Sequence, residues 1–247
     1  MFICIAGKNI CSLKILKYLI SRKINKRNIL VMPNKSDSGR DSWQPSLKKF
    51  SRNNKFKIVK IEDLYKIKDL FFFSIEYEKI INIDKFKSKN LFNIHFSLLP
   101  SYRGCHTNFY QIYNGEKKSG VTLHKIDSGI DTGNIIDQIK FNVNVNDTAF
   151  DNYIKLMKYS VIIFKKNIKR ILKSKYRSKR QKIHKGSYFS RKSINYNKMK
   201  RFQNFENSLK FHNKVRSFIF PPFQLPIVNG RKIKRTLFKK KRVYLYD

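Results

Sequence analysis

An Asn, a His and a loop with two aspartates stand at spacings that suit chemistry at a carbonyl carbon. Asn93 and His95 alternate with apolar residues in LFNIHF, so both project from one face of a predicted strand. The loop DSGIDTG (127–133) carries Asp127 and Asp131 between two further predicted strands, GVTLHKI (120–126) and IIDQIKF (135–141). This layout predicts that a carboxylate of the loop reaches the imidazole. A buried Asn and His that serve only the structure are the alternative interpretation.

An Asn, a His and an Asp suit acyl transfer to an amine. Attack on a carbonyl carbon creates an oxyanion, to which an Asn amide and an imidazole N–H can donate. The attacking amine must lose a proton and the leaving amine must gain one. A carboxylate beside an imidazole favours the protonated ring and fixes its orientation. No Ser or Cys nucleophile is needed, and the sequence has no G-x-S-x-G elbow.

The loop DSGIDTG also contains both spellings of the catalytic loop of aspartic proteases, D-S-G and D-T-G. Such a protease needs two carboxylates that face each other from separate loops and share one proton. Asp127 and Asp131 lie in one loop and cannot supply both. A homodimer could supply one carboxylate from each chain, but such a protease is all-β, whereas this sequence predicts alternating strands and helices. The residues alone therefore predict one working carboxylate in this loop and leave open whether it is Asp127 or Asp131, since Asp also recurs at tight turns for conformational reasons.

The elements before this segment alternate between strands and helices. Apolar runs typical of buried strands occur at 1–6, 28–32, 56–61 and 70–75. Helices are predicted between them, one capped by Ser12 and one over 46–53. This predicts an α/β class with a Rossmann-like, mostly parallel sheet, in which ligands bind beyond the carboxyl ends of the strands. No G-x-G-x-x-G follows the first strand, so no dinucleotide is expected.

The remainder of the chain predicts a long helix and a small appendage. Residues 147–172 have an amphipathic helical pattern, and 173–187 are interpreted as a basic linker. Asn229-Gly230 is the preferred pair for a type I′ hairpin turn. We predict a catalytic domain over 1–180 and a small, partly β C-terminal subdomain with a β-hairpin over 181–247.

The net charge of +39 is the most unusual property of the composition. An RNA or anionic lipid partner would explain it. Bias toward A/T-rich codons is the alternative, because the excess is Lys and accompanies abundant Asn, Ile, Phe and Tyr. No zinc spacing, RNP-like motif or helix-turn-helix is present. Cys4, Cys11 and Cys105 fit reduced thiols in a cytoplasmic protein, and no apolar run is long enough to predict a membrane span.

At the chemical residues the sequence resembles a known family. N-x-H followed by SLLPSYRG, and then GVTLHKIDSGIDTGNI, is similar to the signature of formyltransferases that use N10-formyltetrahydrofolate. The resemblance implies the formyltransferase fold, N10-formyltetrahydrofolate as co-substrate, no metal, and a catalytic set of Asn93, His95 and Asp131. DSWQPSLKKF (41–50) and FSIEYEKII (73–81) are closest to the subgroup that formylates dTDP-4-amino-4,6-dideoxyhexoses. The expected substrate is dTDP-4-amino-4,6-dideoxyglucose, for O-antigen and lipopolysaccharide synthesis.

The resemblance also implies the binding residues. Those for the folate are Phe73, Ser74, Ile75, Glu76, Asp127 and Asp131. Those for the amino sugar and its nucleotide are Tyr102, Arg103, Gly104, Tyr188, Arg191, Arg216, Phe220 and Phe223. In the nucleotide group an aromatic ring would stack on the base and an Arg would pair with the pyrophosphate, with ordinary packing as the alternative.

One neighbouring activity stays open beside the sugar reaction. Formylation of methionyl-tRNA is the nearest alternative, although that class usually carries a C-terminal RNA-binding barrel, for which too few residues follow 200. A basic protein that binds nucleic acid without catalysis is a further alternative. The expected partners are therefore the folate and a nucleotide-linked amino sugar, with no nucleic acid and no membrane span. The resemblance allows a homodimer.

Overall fold

Strands and helices alternate over the first part of the chain in the computed structural model, which describes residues 1–247, and several strands follow one another in the later part. The strands are β1 (Phe2–Gly7), β2 (Ile29–Pro33), β3 (Lys57–Ile58), β4 (Leu70–Ile75), β5 (Leu91–His95), β6 (Arg103–Gly104), β7 (Lys118–Lys125), β8 (Ile135–Asn142), β9 (Tyr188–Phe189), β10 (Arg201–Phe202), β11 (Ile227–Val228), β12 (Arg231–Lys232), β13 (Arg235–Lys239) and β14 (Arg242–Tyr246). The helices are α1 (Asn9–Ser21), α2 (Leu47–Asn53), α3 (Thr107–Tyr113), α4 (Ala149–Leu172), α5 (Tyr196–Met199) and α6 (Leu209–Ser217).

A seven-stranded sheet in the order β3-β2-β1-β4-β5-β7-β8 is the main layer. The first five strands in this order, β3, β2, β1, β4 and β5, are parallel, and β7 is antiparallel to β5. All six residues of β4 are buried, because a parallel strand covered on both faces needs apolar side chains in both directions. The prediction of a mostly parallel sheet is confirmed, and the carboxyl ends of β1, β4 and β5 meet at one edge.

Two local predictions differ from the structure. Helix α1 begins at Asn9, with Lys8 in extended backbone before it, so Ser12 lies buried inside the helix and is not its cap. The predicted strand over 56–61 is reduced to Lys57–Ile58, which is exposed and pairs only with Leu30 and Val31 at the edge of the sheet. An edge strand has a partner on one side only, and an apolar run alone does not reveal this.

The chain forms two compact units, each made of separate segments. The first contains 1–95, 121–139 and 157–184, and the second contains 96–120, 140–156 and 185–247. These units differ from the predicted domains 1–180 and 181–247, because internal segments pack with C-terminal residues in the second unit. The ring of Phe109 on α3, for example, lies 4.8 Å from that of Phe218. The separate subdomain over 181–247 stays a prediction.

Small sheets give the C-terminal residues their partly β character. Strand β11 pairs with β12, with Val228 opposite Arg231. Asn229 and Gly230 form the two-residue turn between them at φ angles of 47° and 80°. Both central residues of a type I′ turn need a positive φ, so the Asn-Gly prediction is confirmed.

A buried histidine, His212 on α6, anchors the second unit. Its Nε2 donates to the carbonyl of Val145 at 2.8 Å, and its Nδ1 accepts from the hydroxyl of Thr236 at 2.9 Å. The neutral ring satisfies both contacts, because its Nδ1 lone pair can accept from the hydroxyl while Nε2 donates to the carbonyl. Burial lowers the pKa of His212 from 6.5 to about 4.

The free energy of unfolding is therefore expected to fall as the pH drops from 6.5 toward 4. In this window the unfolded chain binds a proton at His212 that the native protein does not bind. The stability due to the neutral ring is complete above the window and is lost at about 1.4 kcal/mol per pH unit within it. Urea unfolding of the wild type and of His212→Gln across this range checks the prediction. The same pH slope in both proteins would contradict it.

Candidate active site

Neighbouring strands align the polar residues that the sequence analysis selected. Asn93 on β5 pairs with Ser74 of β4 on one side and with His124 of β7 on the other. His95 pairs with Thr122 of β7. Because directly opposed residues project from the same face of a sheet, Asn93, His95 and His124 share one face.

One carboxylate contacts both predicted partners in the strand. Asn93 Nδ2 donates to Asp131 Oδ1 at 3.1 Å, and His95 Nδ1 lies 3.4 Å from Asp131 Oδ2. Both His95 and Asp131 are nearly buried, at 8% and 12% side-chain exposure. Attraction between an imidazole and a carboxylate is stronger here than in water, because little solvent screens it. The structure thus brings Asn93, His95 and Asp131 together, and their catalytic role is proposed below.

The loop that carries Asp131 is shaped by short-range contacts. Asp127 Oδ1 accepts from the Gly129 N–H at 3.2 Å and from the Thr132 hydroxyl at 2.6 Å. Asp131 itself has a φ of 55°, in the left-handed region. A Cβ on Gly133 would lie 1.9 Å from the carbonyl oxygen of Lys125, so only glycine fits there. Asp127 therefore holds the turn, and its contact with the folate stays a prediction.

Gln181 is a site residue that the sequence analysis missed, and it corrects part of the linker interpretation of 173–187. Its side-chain Nε2 donates to the carbonyls of Asp131 at 3.0 Å and of Gly133 at 2.7 Å. Lys179 also bonds with Ile135 in both directions. A single Gln among basic residues has no periodic signal, so only the folded chain reveals this contact.

The predicted folate segment is the carboxyl end of β4 with Glu76 after it, next to Asn93 on β5. Phe73 and Ile75 are fully buried, and the Phe73 ring packs on Phe92 at 5.2 Å. Because their side chains are buried, Phe73 and Ile75 can contact a ligand next to Ser74 only through their backbone groups. Glu76 has a φ of 56° and accepts from Asn9 Nδ2 at 3.0 Å.

Two of the predicted substrate segments meet in the second unit. Strand β6 pairs with β9, which sets Arg103 opposite Tyr188. The Tyr102 hydroxyl donates to Glu116 Oε1 at 2.6 Å, and both burial and this bond raise the pKa of the Tyr102 phenol. A Cβ on Gly104 would lie 2.2 Å from the carbonyl oxygen of Phe189, so the pairing needs glycine. Segments far apart in sequence thus form one small ladder.

The other predicted nucleotide residues differ in exposure. Arg191 is exposed, and its carbonyl faces His106 Nε2 at 2.9 Å. Phe223 is 71% exposed and stacks at 5.5 Å on Phe220, which is nearly buried. Of these two rings, Phe223 offers the larger surface to a base.

Arg216, another predicted substrate residue, has all its described contacts within the second unit. Its side chain is buried, with 2% of the residue exposed, and Nε donates to Asn213 Oδ1 at 2.9 Å. Nη1 donates to the backbone carbonyls of Asn144 and Asp147. Burial, opposed by the nearby Asp147, lowers the pKa of Arg216 to about 10. The guanidinium joins segments of the second unit, and a contact of Arg216 with the substrate stays a prediction.

Comparison with known proteins identifies the family. A family model described as formyl transferase matches residues 1–168. The chain belongs to this formyltransferase family. The crystal structure of an N-formyltransferase from Helicobacter canadensis, in complex with folinic acid and dTDP-3-aminofucose, is 45% identical with a TM-score of 0.92. That alignment covers 97% of this chain and 88% of the other.

Other relatives of this formyltransferase differ in substrate. The sugar 3N-formyltransferase WlaRD, solved with dTDP and 5-N-formyl-THF, is 47% identical with a TM-score of 0.93, over 97% of this chain and 87% of the other. A methionyl-tRNA formyltransferase of Mycoplasmopsis pulmonis is 31% identical over 95% of this chain and 83% of its own length. The bifunctional polymyxin resistance protein ArnA of Wigglesworthia glossinidia brevipalpis is 42% identical over 47% of this chain, which spans only 18% of ArnA.

Two further properties of the formyltransferase concern metals and membranes. No group of three or more His, Cys, Asp or Glu side chains is arranged to hold a metal ion. None of its helices combines the length and the apolar character needed to cross a bilayer.

Replacing Gln181 with alanine is expected to lower the kcat of formyl transfer about tenfold and to destabilise the protein by about 1–3 kcal/mol. The buried carbonyl of Gly133 and the partly buried carbonyl of Asp131 would lose their donor, and the backbone of Asp131 would lose its anchor. Steady-state kinetics and urea unfolding measure the two effects. Gln203→Ala, at an exposed glutamine, is the matched control. Equal kcat values for Gln181→Ala and the control would contradict the prediction.

Proposed function

We propose that this formyltransferase transfers a formyl group from N10-formyltetrahydrofolate to the amine of a nucleotide-linked amino sugar. The observation that carries the proposal is the single carboxylate of Asp131 in contact with both Asn93 and His95. Such a set provides donors for an oxyanion and a titratable group for proton movement. Two sugar N-formyltransferases at 45% and 47% identity support the substrate class.

In the proposed reaction the neutral sugar amine attacks the formyl carbon. The new C–N bond forms and the bond from the formyl carbon to N10 breaks, while a proton passes from the amine to N10. Because Asp131 lies on the Nδ1 side of His95, the Nε2 side is the one that would serve the reacting groups. Asn93 Nδ2 and His95 would donate to the oxyanion, and Asp131 would orient His95.

Features of the second unit support an anionic substrate. The Nε of Arg103 is buried and has no hydrogen-bond partner within the protein. Arg103 lies opposite the exposed Tyr188, in the ladder formed by β6 and β9. A nucleotide-linked sugar offers both a pyrophosphate for a guanidinium and a base for an aromatic ring such as Phe223. The net charge of +39 would favour such a substrate at long range.

The position of the amine and the nucleotide are the finer parts of the proposal. The sequence predicted dTDP-4-amino-4,6-dideoxyglucose, and this stays a prediction, as do the O-antigen pathway and a homodimer. The two similar structures concern dTDP-3-aminofucose and a sugar 3-N-formyl transfer. We therefore propose a dTDP-linked 3-amino-6-deoxy sugar as the first substrate to test.

The test incubates the protein with N10-formyltetrahydrofolate and one acceptor at a time, and mass spectrometry detects one added formyl group. The acceptors are dTDP-3-aminofucose, dTDP-4-amino-4,6-dideoxyglucose, GDP-perosamine and charged initiator tRNA. Formylation of a sugar nucleotide without formylation of the tRNA supports the proposal. The tRNA arm is needed because a methionyl-tRNA formyltransferase is 31% identical over most of this chain. Formylation of the tRNA alone would overturn the proposal.

A further inference from the structure

His124 on β7 is a buried histidine that the proposed reaction does not use. Its side chain is 2% exposed, and its backbone pairs with that of Asn93. Two titratable groups face it from other segments of the first unit. Asp131 Oδ1, in the loop after β7, lies 3.6 Å from His124 Nε2, and the His95 ring on β5 is 6.5 Å away between centroids.

The two ring nitrogens of His124 have different partners. Nδ1 lies 2.7 Å from the carbonyl oxygen of Lys125. A carbonyl only accepts, so Nδ1 carries the hydrogen and donates it. Nε2 lies 3.1 Å from Asn93 Nδ2, an amide nitrogen that only donates, so a hydrogen bond between them needs a lone pair on Nε2. Nε2 of His124 therefore accepts a hydrogen bond from the carboxamide of Asn93.

This bond affects which end of the Asn93 carboxamide faces the site. The amide nitrogen and oxygen of Asn have nearly the same shape, so neighbouring donors and acceptors decide its orientation. One Nδ2 hydrogen goes to His124 Nε2 and the other to Asp131 Oδ1 at 3.1 Å. With one hydrogen held by His124, the planar amide fixes the direction of the second, which an oxyanion bound beside Asp131 can share. Without the lone pair, the carboxamide can turn over and present its oxygen.

We propose that His124 is a positioning residue for formyl transfer, and that its Nε2 lone pair holds the donor end of Asn93 at the reacting centre. The inference rests on the proposed function, in which Asn93 donates to the oxyanion. The carbonyl of Lys125 fixes the required tautomer, as carbonyl partners commonly do for functional histidines. His124 acts through Asn93 and needs no contact with either substrate.

A pair of substitutions separates the two nitrogens. His124→Asn can keep the bond to Lys125 but offers no acceptor toward Asn93. His124→Gln places its side-chain oxygen near the position of Nε2. We expect His124→Asn to lower kcat about 10- to 100-fold with KM for both substrates changed less than about threefold, and His124→Gln to recover most of the loss. Wild-type kcat in His124→Asn, or equal losses in both variants, would overturn the proposal.

Two further measurements support the test. The first asks whether His124 acts through Asn93, and the second needs no substrate. In an Asn93→Ala background, His124→Asn should cause no further loss of kcat, because the two residues act as one unit. Additive losses would overturn the proposal. In 15N NMR of histidine-labelled protein, His124 should carry its hydrogen on Nδ1. His212, whose Nε2 donates to Val145, is an internal reference of the opposite tautomer. A hydrogen on Nε2 of His124 would also overturn the proposal.

These outcomes are distinguishable from a failure of the proposed function. If the wild type formylates none of the sugar nucleotides, the substrate class is wrong, and the NMR result still decides the tautomer of His124. If the wild type is active and His124→Asn is equally active, only the positioning role fails.

Discussion

Replacing His95 with alanine is expected to lower kcat for formyl transfer by about 10²- to 10⁴-fold, with KM for the sugar nucleotide and the folate largely unchanged. The imidazole is nearly buried and its Nδ1 lies beside Asp131, so Nε2 is oriented for the reaction. Asn93→Ala should lose about 10²- to 10³-fold, the usual effect of one lost donor to an oxyanion. Steady-state kinetics with varied acceptor and varied folate separates kcat from KM.

The control for these variants is His184→Ala, at an exposed histidine of the first unit. Far-UV circular dichroism and thermal melting show whether each variant is folded. Removing both Asn93 and His95 gives the sharpest result. A folded double variant with near wild-type kcat would show that the reaction takes place elsewhere.

Replacing Asp131 with asparagine is expected to lower kcat by at least about 10²-fold, because one carboxylate accepts from Asn93 and also lies beside His95. An asparagine keeps the size of the side chain, but its NH2 group must then face either Asn93 Nδ2 or the ring of His95. If the new NH2 group faces Asn93 Nδ2, two donors oppose each other. In both orientations the negative charge that attracts His95 is lost. Kinetics measured for both substrates should show the loss in kcat rather than in KM.

Asp137→Asn is the matched control, since it removes one acidic charge from β8 without touching the catalytic set. Asp137 accepts from Asn167 Nδ2 at 2.8 Å and lies 3.0 Å from Lys166 Nζ. Although burial alone would raise the pKa of Asp137, the bonds to Asn167 and Lys166 lower it. The substitution should reduce stability and leave kcat within about twofold, as for most changes outside a site. An equal loss of kcat in the two variants would indicate a general effect of charge.

Features that depend on neighbours in the sequence were predictable. Alternation in LFNIHF placed Asn93 and His95 on one face, and the structure pairs both residues with the same strand, β7. The apolar runs predicted a mostly parallel sheet, and Asn229-Gly230 predicted a hairpin turn. Periodicity and turn preferences act over a few residues, so a single chain records them directly. The resemblance to formyltransferases rested on these same contiguous segments.

Contacts between distant segments needed the tertiary structure. No local pattern shows that His124 lies beside Asn93, that Gln181 holds the carbonyl of Asp131, or that Arg103 pairs with Tyr188. Burial of Arg216 was equally hidden, because its partners Asn144 and Asp147 lie on another segment. The order of the strands in the sheet and the paths of the loops decide such contacts. Both follow from hydrogen bonding and packing across the whole chain. The sequence by itself determined which residues we propose for the chemistry, and the tertiary structure decided which side chains hold them in place.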